Sequence, residues 1–404
     1  MNNKIIEIFV KNNEQSSEKL IFEYLEKNKV IYIQNKSNHL KQSLNSINYD
    51  EPGIILNSSG SKNIPKRCLH HLTNLDKSAI ASGIWLEDQG FDLRDFFIFN
   101  TLPFYHISGL MPLWRKKIWG CDYINISPKL IKRSKDLLDK THIIIKNQKK
   151  NLITSLVPTQ LFRLLSDEYG IKWLKLFDLI WVGGAPIPDD IKDKCIKEKL
   201  NISPCYGSTE TAAMIATLKP SEFLNGNSSS GEILKDISLR INQEGLIEVK
   251  TNRIGIKVEN NSKLVPFNNK NGWWESGDLG KIIQENNNHY LNIFGRIDNV
   301  LHSGGEIVFL DSIKKRLENF ILFKNLPIKQ IHLKSIKDNL WGNRFLIVIL
   351  FRKNIEYKNV FESLEILKRF IKDFPKHERP VKLIINDGQV WENLKEINNW
   401  KNIH

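Results

Sequence analysis

The chain has 404 residues, 41% of them hydrophobic, enough to bury a large core and to divide into a major and a minor domain. Its 59 Lys and Arg against 45 Asp and Glu leave a net charge of +14, but the lysines are scattered among Asn, Ile and Glu, so nucleic acid is not an expected partner and attraction to small polyanions is the milder consequence. No run approaches the roughly 18 apolar residues of a membrane span, the start Met1-Asn-Asn-Lys-Ile-Ile-Glu lacks a secretory apolar core, and Cys68, Cys121, Cys195 and Cys205 show no metal or disulfide spacing; an intracellular, cytoplasmic protein is expected.

A helix is expected over 16–28, introduced by Ser16-Ser17, while 37–49 is polar and loop-like. Apolar strand candidates at 53–56, 96–101, 152–156, 178–182 and 202–206 then alternate with helical stretches near 66–85, 108–119, 129–139, 158–168 and 187–199. Alternation of this kind predicts an α/β fold, a parallel sheet with helices on its faces. From Gly231 to Phe294 short runs such as Leu246-Ile-Glu-Val-Lys250, bounded by Gly and Asn, predict a small β subdomain. The remainder predicts a compact α+β unit, so the expected domains are 1–296 and 297–404. Cys205 lies in an apolar run directly before Tyr206 and reads as a structural thiol.

Between the first strand candidate and the following helical stretch lies Asn57-Ser-Ser-Gly-Ser-Lys-Asn-Ile-Pro-Lys66. Gly60 permits close backbone approach, Ser58, Ser59 and Ser61 offer hydroxyls, and Lys66 a cation, as a polyphosphate requires. A plain surface loop has the same composition. Further along stand Leu102-Pro-Phe-Tyr-His-Ile-Ser-Gly109, Gly183-Gly-Ala-Pro186, Tyr206-Gly-Ser-Thr-Glu-Thr211, Ser276-Gly-Asp-Leu-Gly280 and Gly295-Arg-Ile-Asp-Asn-Val-Leu-His-Ser-Gly-Gly-Glu306. Together and in this order, from about residue 51 onward, they resemble the acyl-adenylate-forming (acyl-CoA synthetase-like, AMP-binding) superfamily. The flanking segments Ile107-Ser-Gly-Leu-Met-Pro-Leu-Trp-Arg115 and Leu152-Ile-Thr-Ser-Leu-Val-Pro-Thr-Gln-Leu-Phe-Arg-Leu-Leu165 are similar to the o-succinylbenzoate-CoA ligases of menaquinone and phylloquinone synthesis.

The resemblance implies a large AMP-binding domain followed by a small mobile one, and a ligase using ATP, Mg²⁺, coenzyme A and a small carboxylic acid. It implies Glu210 as the Mg²⁺ ligand, Thr209 on the α-phosphate, Tyr206 and Gly207 along adenine, and Gly184, Ala185 and Pro186 as the opposite wall. Asp278 would receive the ribose hydroxyls, with Arg296 adding a cation. Asp298 would be the hinge between domains, and Gly304, Gly305 and Glu306 would line the thiol path. His106 would orient the acyl carboxylate, although a satisfied buried histidine fits the same text. Arg115 could meet the second carboxylate of an aryl dicarboxylate, or Arg115-Lys-Lys117 could be a solvated helix end.

Three departures from the family pattern stand out. Lys62-Asn63 replaces Thr-Gly in the phosphate loop; the first 50 or so residues are few for the usual N-terminal subdomain; and the expected catalytic lysine, Lys395, follows Leu394 where Gly is usual, so a one-residue shift would put Glu396 in its place. A general aryl or fatty acid-CoA ligase shares the nucleotide motifs, and a nucleotide- or acyl-binding protein without ligase activity would account for the departures.

Overall fold

Phe96–Asn100 explains the architecture of the larger part of the chain. Phe97 and Phe99 enter one apolar core and Phe96 and Ile98 another, so both faces of this strand demand cover. Leu179–Val182 repeats the pattern, with Ile180 and Val182 on the first face and Leu179 and Trp181 on the second. Full burial of such side chains contributes roughly 1.5–3 kcal/mol each. The computed structural model describes residues 3–10, 15–35, 46–47, 49–58, 66–146, 149–259, 262–285, 288–352, 355–385 and 395–397.

The strands Asp122–Asn125, Phe96–Asn100, Asn151–Leu156, Leu179–Val182 and Ile202–Ser208 lie side by side, all parallel. They form one half of an 11-stranded sheet. Beyond Ile202–Ser208 the sheet turns antiparallel at Ala213–Thr217 and continues into the β-rich region up to Arg296. A second, six-stranded sheet runs in the order Leu264–Pro266, Ile256–Val258, Lys66–His71, Gly53–Ser58, Val30–Asn35, Ile6–Val10.

Two helices, Leu72–Glu87 and Ile107–Trp119, contribute to the cores of both sheets. Leu75, Ala79, Leu110 and Trp114 pack with Ile54 and Leu56 of the six-stranded sheet, whereas Ala81, Trp85 and Trp119 pack with Ile153 and Trp181 of the larger one. Helices covered on opposite sides lose the one-sided polarity of a surface helix. Two of their three indole nitrogens find acceptors, Trp114 Nε1 donating to Asp76 at 2.7 Å and Trp119 Nε1 to the Ala79 carbonyl at 2.9 Å, whereas Trp85 Nε1 is buried without one.

Several element expectations need correction. The stretch 66–85 is not one helix: Lys66–His71 is a strand, antiparallel to Gly53–Ser58, and helix begins at Leu72. Strand pairing on both edges, with Gly53–Ser58 and Ile256–Val258, overrides helical propensity there, and residues 67–70 are all buried. The stretch 129–139 divides into a 3-10 turn at Pro128–Lys132 and a helix at Ser134–Ile145. The stretch 158–168 breaks into Pro158–Leu165 and Glu168–Leu174, because Asp167 caps the second helix by accepting from Gly170 N.

By internal contacts the chain forms two compact units, Met1–Ser276 with Gly280–Ile293, and Gly277–Leu279 with Phe294–His404. In the second, helices Leu310–Phe323 and Tyr357–Lys372 share a core with Ile331, Phe345, Ile347 and Ile349, and Phe320 stacks on Phe370 at 3.8 Å. Among the described residues no helix is long and apolar enough to cross a membrane.

Candidate active site

The parallel strands end in register: Asn100 lies opposite Ser155, and Val182 opposite both Leu156 and Pro204. From these ends the chain passes to His106 at the start of Ile107–Trp119, through Gly184, Ala185 and Pro186 toward Asp189–Lys197, and out of Ile202–Ser208 into Thr209 and Glu210. Open α/β sheets bind ligands beyond the carboxyl ends of their strands. Three of the sequence-predicted segments therefore share one edge of the sheet. Gly184, Ala185 and Pro186 are exposed there, while Tyr206, Gly207 and Thr209 are half-buried.

The turn after Ser208 is held at almost every carbonyl. Thr209 O accepts from Ala212 N at 3.1 Å and from His70 Nε2 at 2.7 Å, and Glu210 O accepts from Gly255 N at 2.8 Å. Ser78 Oγ donates to Ala212 O and itself accepts from Arg253 Nη1 at 2.8 Å. Thr211 Oγ1 donates to Ala213 O at 2.7 Å. These bonds enforce φ of +52° at Ala212 and +87° at Ala213, a left-handed region that costs a non-glycine residue roughly 1–2 kcal/mol. Gly255 can come so close only because it lacks a Cβ, which would sit 2.3 Å from Cys68 Sγ and 2.8 Å from His70 Cε1.

Glu210 is 9% exposed, and among the described residues its carboxylate makes no hydrogen bond or ion pair. Burial, reinforced by this carboxylate, pushes the Cys68 thiol well above its usual pKa. No group of three or more His, Cys, Asp or Glu among the described residues could hold a metal. One unpaired carboxylate fits Mg²⁺, which takes one or two protein carboxylates and completes its shell with phosphate and water. Zinc is unsuited to such a donor set.

Arg115 is not a solvated helix end. It is 3% exposed, its guanidinium lies 4.4 Å from the centre of the Trp181 ring, and Nε donates to Ser82 Oγ at 3.1 Å. Its Nη2 has no hydrogen-bond partner and no carboxylate among the described residues pairs with it. Burial lowers its pKa to about 10. The group packs with Ile98, Pro112, Ile153, Ser155 and Trp181 around a crevice too tight to admit a water molecule. His106, in contrast to a satisfied buried histidine, is exposed, lies 4.7 Å from the Tyr105 ring, and has its pKa lowered by partial desolvation.

Of the phosphate loop, Ser58 is buried and Lys66 exposed, and the two are paired across antiparallel strands. The loop thus joins strand to strand, not strand to helix. Ser59, Gly60, Ser61, Lys62 and Asn63 lie outside the described residues. Cys68, Cys121 and Cys195 are buried free thiols, and burial pushes the half-exposed Cys205 up to about 12.

In the second unit Arg296 donates to Asp278 at 3.2 Å and to Asp298 at 3.4 Å. Burial opposes its charge, but the two carboxylates outweigh it and raise the guanidinium pKa. Asp298 sits in a 3-10 turn, Ile297–Asn299, anchored by Asn299 Nδ2 donating to Asp311 at 3.1 Å. Gly304 and Gly305, with φ of +61° and +87°, form the two-residue turn between the paired Ser303 and Glu306. Such a hairpin favours residues that tolerate positive φ at both positions, so the glycines have a structural reason of their own. Lys395 lies on the strand Lys395–Ile397, paired with Ile385, and its side chain is outside the described residues.

His70, Ser78, Arg253 and Gly255 were not singled out from the sequence. The available signal was weak: polar residues set into apolar stretches, each with its partner far along the chain.

The AMP-binding enzyme family matches residues 4–256. The 2-succinylbenzoate–CoA ligase of Geobacillus sp. (strain WCH70) is 27% identical over 303 residues, 73% of this chain and 58% of that one. The Bacillus subtilis (strain 168) enzyme of the same name is 24% identical over 302 residues, 72% and 58% of the two chains. The match thus spans less than two thirds of the length of these relatives. Among solved structures, Bacillus subtilis o-succinylbenzoate CoA synthetase with its acyl-adenylate intermediate superposes with a TM-score of 0.65 at 19% identity, covering 92% of this chain and 78% of that one. The same enzyme with ATP and magnesium ion gives 0.66 at 18% identity, covering 96% and 86%. These structural likenesses establish the fold, and the sequence match extends over more than half of the chain. The protein is a member of the AMP-binding enzyme family.

Proposed function

We propose that the protein is an ATP-dependent acid-CoA ligase that activates 2-succinylbenzoate as an acyl adenylate and transfers the acyl group to coenzyme A. A carboxylate oxygen is a poor leaving group. Attack of that oxygen on the α-phosphorus of ATP releases pyrophosphate and gives a mixed anhydride; attack of the thiol sulfur on the acyl carbon then releases AMP, with the thiol proton passing to solvent. Both steps need charge held in a fixed geometry.

The observation that carries the reading is the clamped Thr209–Glu210 step, whose buried carboxylate has no protein partner among the described residues. Glu210 is assigned to Mg²⁺, which when bound supplies neutralising charge to the phosphates. Thr209 is assigned to the α-phosphate, and Tyr206 with Gly207 and Gly184–Pro186 to adenine. Ser58 and Lys66 carry the polyphosphate role within the described residues. In the second unit Asp278 and Arg296 are assigned to the ribose, Asp298 to the hinge, Gly304, Gly305 and Glu306 to the thiol path, and Lys395 to adenylation.

Arg115, buried without a carboxylate partner among the described residues, is assigned to a second anionic group of the acid, which reaches the guanidinium only if the closed crevice beside Trp181 opens. A place in quinone biosynthesis in the cytoplasm follows from that substrate. The test is purified protein with ATP, Mg²⁺, coenzyme A and a panel of aryl, fatty and dicarboxylic acids, with AMP release as readout. Turnover confined to 2-succinylbenzoate is the expected result. Preference for a monocarboxylic acid replaces the substrate assignment, and absence of ATP–pyrophosphate exchange with every acid removes the ligase reading.

A further inference from the structure

We propose that His70 is a positioning residue for adenylation, fixing the peptide that carries Thr209 and Glu210. The proposal rests on the ligase reading of that peptide and adds a residue to it. His70 lies on Lys66–His71, is fully buried, and places Nε2 2.7 Å from the Thr209 carbonyl, 139 positions away in sequence. That bond requires a proton on Nε2. Nδ1 has no hydrogen-bond partner and Nε2 lies 3.3 Å from Cys68 Sγ as well, so the buried ring is held through Nε2 alone, and its short bond is the one to the Thr209 carbonyl.

The ring also makes the platform for the next bond. The Gly255 backbone lies against it so closely that an added Cβ would stand 2.8 Å from Cε1 and 3.1 Å from Nε2. Gly255 N reaches the Glu210 carbonyl from this position. Two successive carbonyls, Thr209 and Glu210, are thus fixed by two groups that themselves touch. A side chain that merely filled space would not choose the tautomer or aim the donor. Supporting groups of this kind typically change metal affinity or activity by about 10–100-fold when removed.

The experiment separates the half-reactions in the full chain. His70→Met keeps bulk and removes the donor; His70→Gln keeps an N–H near the position of Nε2. His70→Met should lower kcat/KM for ATP–pyrophosphate exchange by about 10–100-fold and raise the Mg²⁺ concentration needed, while thioester formation from synthetic acyl adenylate stays within about twofold. His70→Gln should restore exchange to within about threefold of wild type. Equal losses in both half-reactions, or in both variants, would mean a structural role and overturn the proposal. Wild-type exchange in His70→Met would overturn it too, whereas no exchange in the parent protein sinks the ligase reading and this role with it. Should His70→Met fail to fold, ¹⁵N-histidine NMR of the parent decides: an Nε2–H imidazole supports the proposal, and an Nδ1–H imidazole overturns it.

Discussion

Stability should fall between pH 7.5 and 4.5 by an amount attributable to His70 alone. The folded protein holds this imidazole at a pKa of about 4, chiefly because burial disfavours its charge, against the ordinary value of 6.5. Between those values the unfolded chain binds a proton that the folded chain refuses. The contribution is therefore complete above pH 6.5, declines as pH drops toward 4, and changes no further below it. A lowering from 6.5 to about 4 corresponds to a contribution on the order of 3 kcal/mol in full, most of it lost by pH 4.5. Urea unfolding of parent and His70→Gln, without nucleotide or metal and followed by tryptophan fluorescence, measures it. Other groups titrate equally in both proteins, so the parent should lose roughly 2–3 kcal/mol more than the variant. Parallel pH dependences, within about 0.5 kcal/mol, would refute the burial argument.

Glu210→Gln should reduce adenylation on the order of 10²-fold without moving the urea midpoint, because a charge is lost and the shape retained; unchanged turnover at limiting Mg²⁺ would remove the metal assignment. Arg115→Met should cost within about 1 kcal/mol of stability, since a desolvated cation leaves together with its Trp181 contact, yet raise KM for a dicarboxylic acid at least tenfold relative to its monocarboxylic analogue. Equal KM changes for the two acids would contradict this. Gly255→Ala should cost about 1–3 kcal/mol from overpacking against Cys68 and His70 and slow ATP–pyrophosphate exchange. Full exchange activity in a folded Gly255→Ala protein would mean that Gly255 does not set the turn.

The parallel strands were legible because their environment is uniform: Phe96–Asn100 and Leu179–Val182 are apolar on both faces, and no neighbouring element alters that reading. Lys66–His71 was not. Its Lys, Arg and two His look like the start of a polar helix, and only the pairing with Gly53–Ser58 and Ile256–Val258 makes it a strand. The same distance problem hid the clamp. His70 and Thr209, Ser78 and Ala212, Arg253 and Ser78 are partners separated by more than a hundred positions, and no local pattern reports them. Arg115 reads equally as a pocket donor or a solvated helix end because Lys116 and Lys117 follow it; the helix buries Arg115, leaves Lys116 partly exposed and turns Lys117 to solvent. The positive φ angles of Ala212 and Ala213 were illegible for a simpler reason: alanine gives no hint of left-handed backbone.

Those two alanines also bear on how the protein would respond to selection. Replacing Ala212 or Ala213 with glycine removes a steric penalty in the folded state while widening the choices of the unfolded chain, so the two effects oppose each other and the net change in stability is small. The turn would nevertheless lose its stiffness, and with it the fixed aim of the Thr209–Glu210 peptide. Directed evolution scored by heat tolerance alone would be nearly blind at these positions and would let glycine drift in. Scored by turnover, the same library should hold alanine. A residue type that ordinary backbone rules disfavour would then be the one kept by activity, and its retention among functional variants would mark the turn as a place where rigidity is under selection and stability is not.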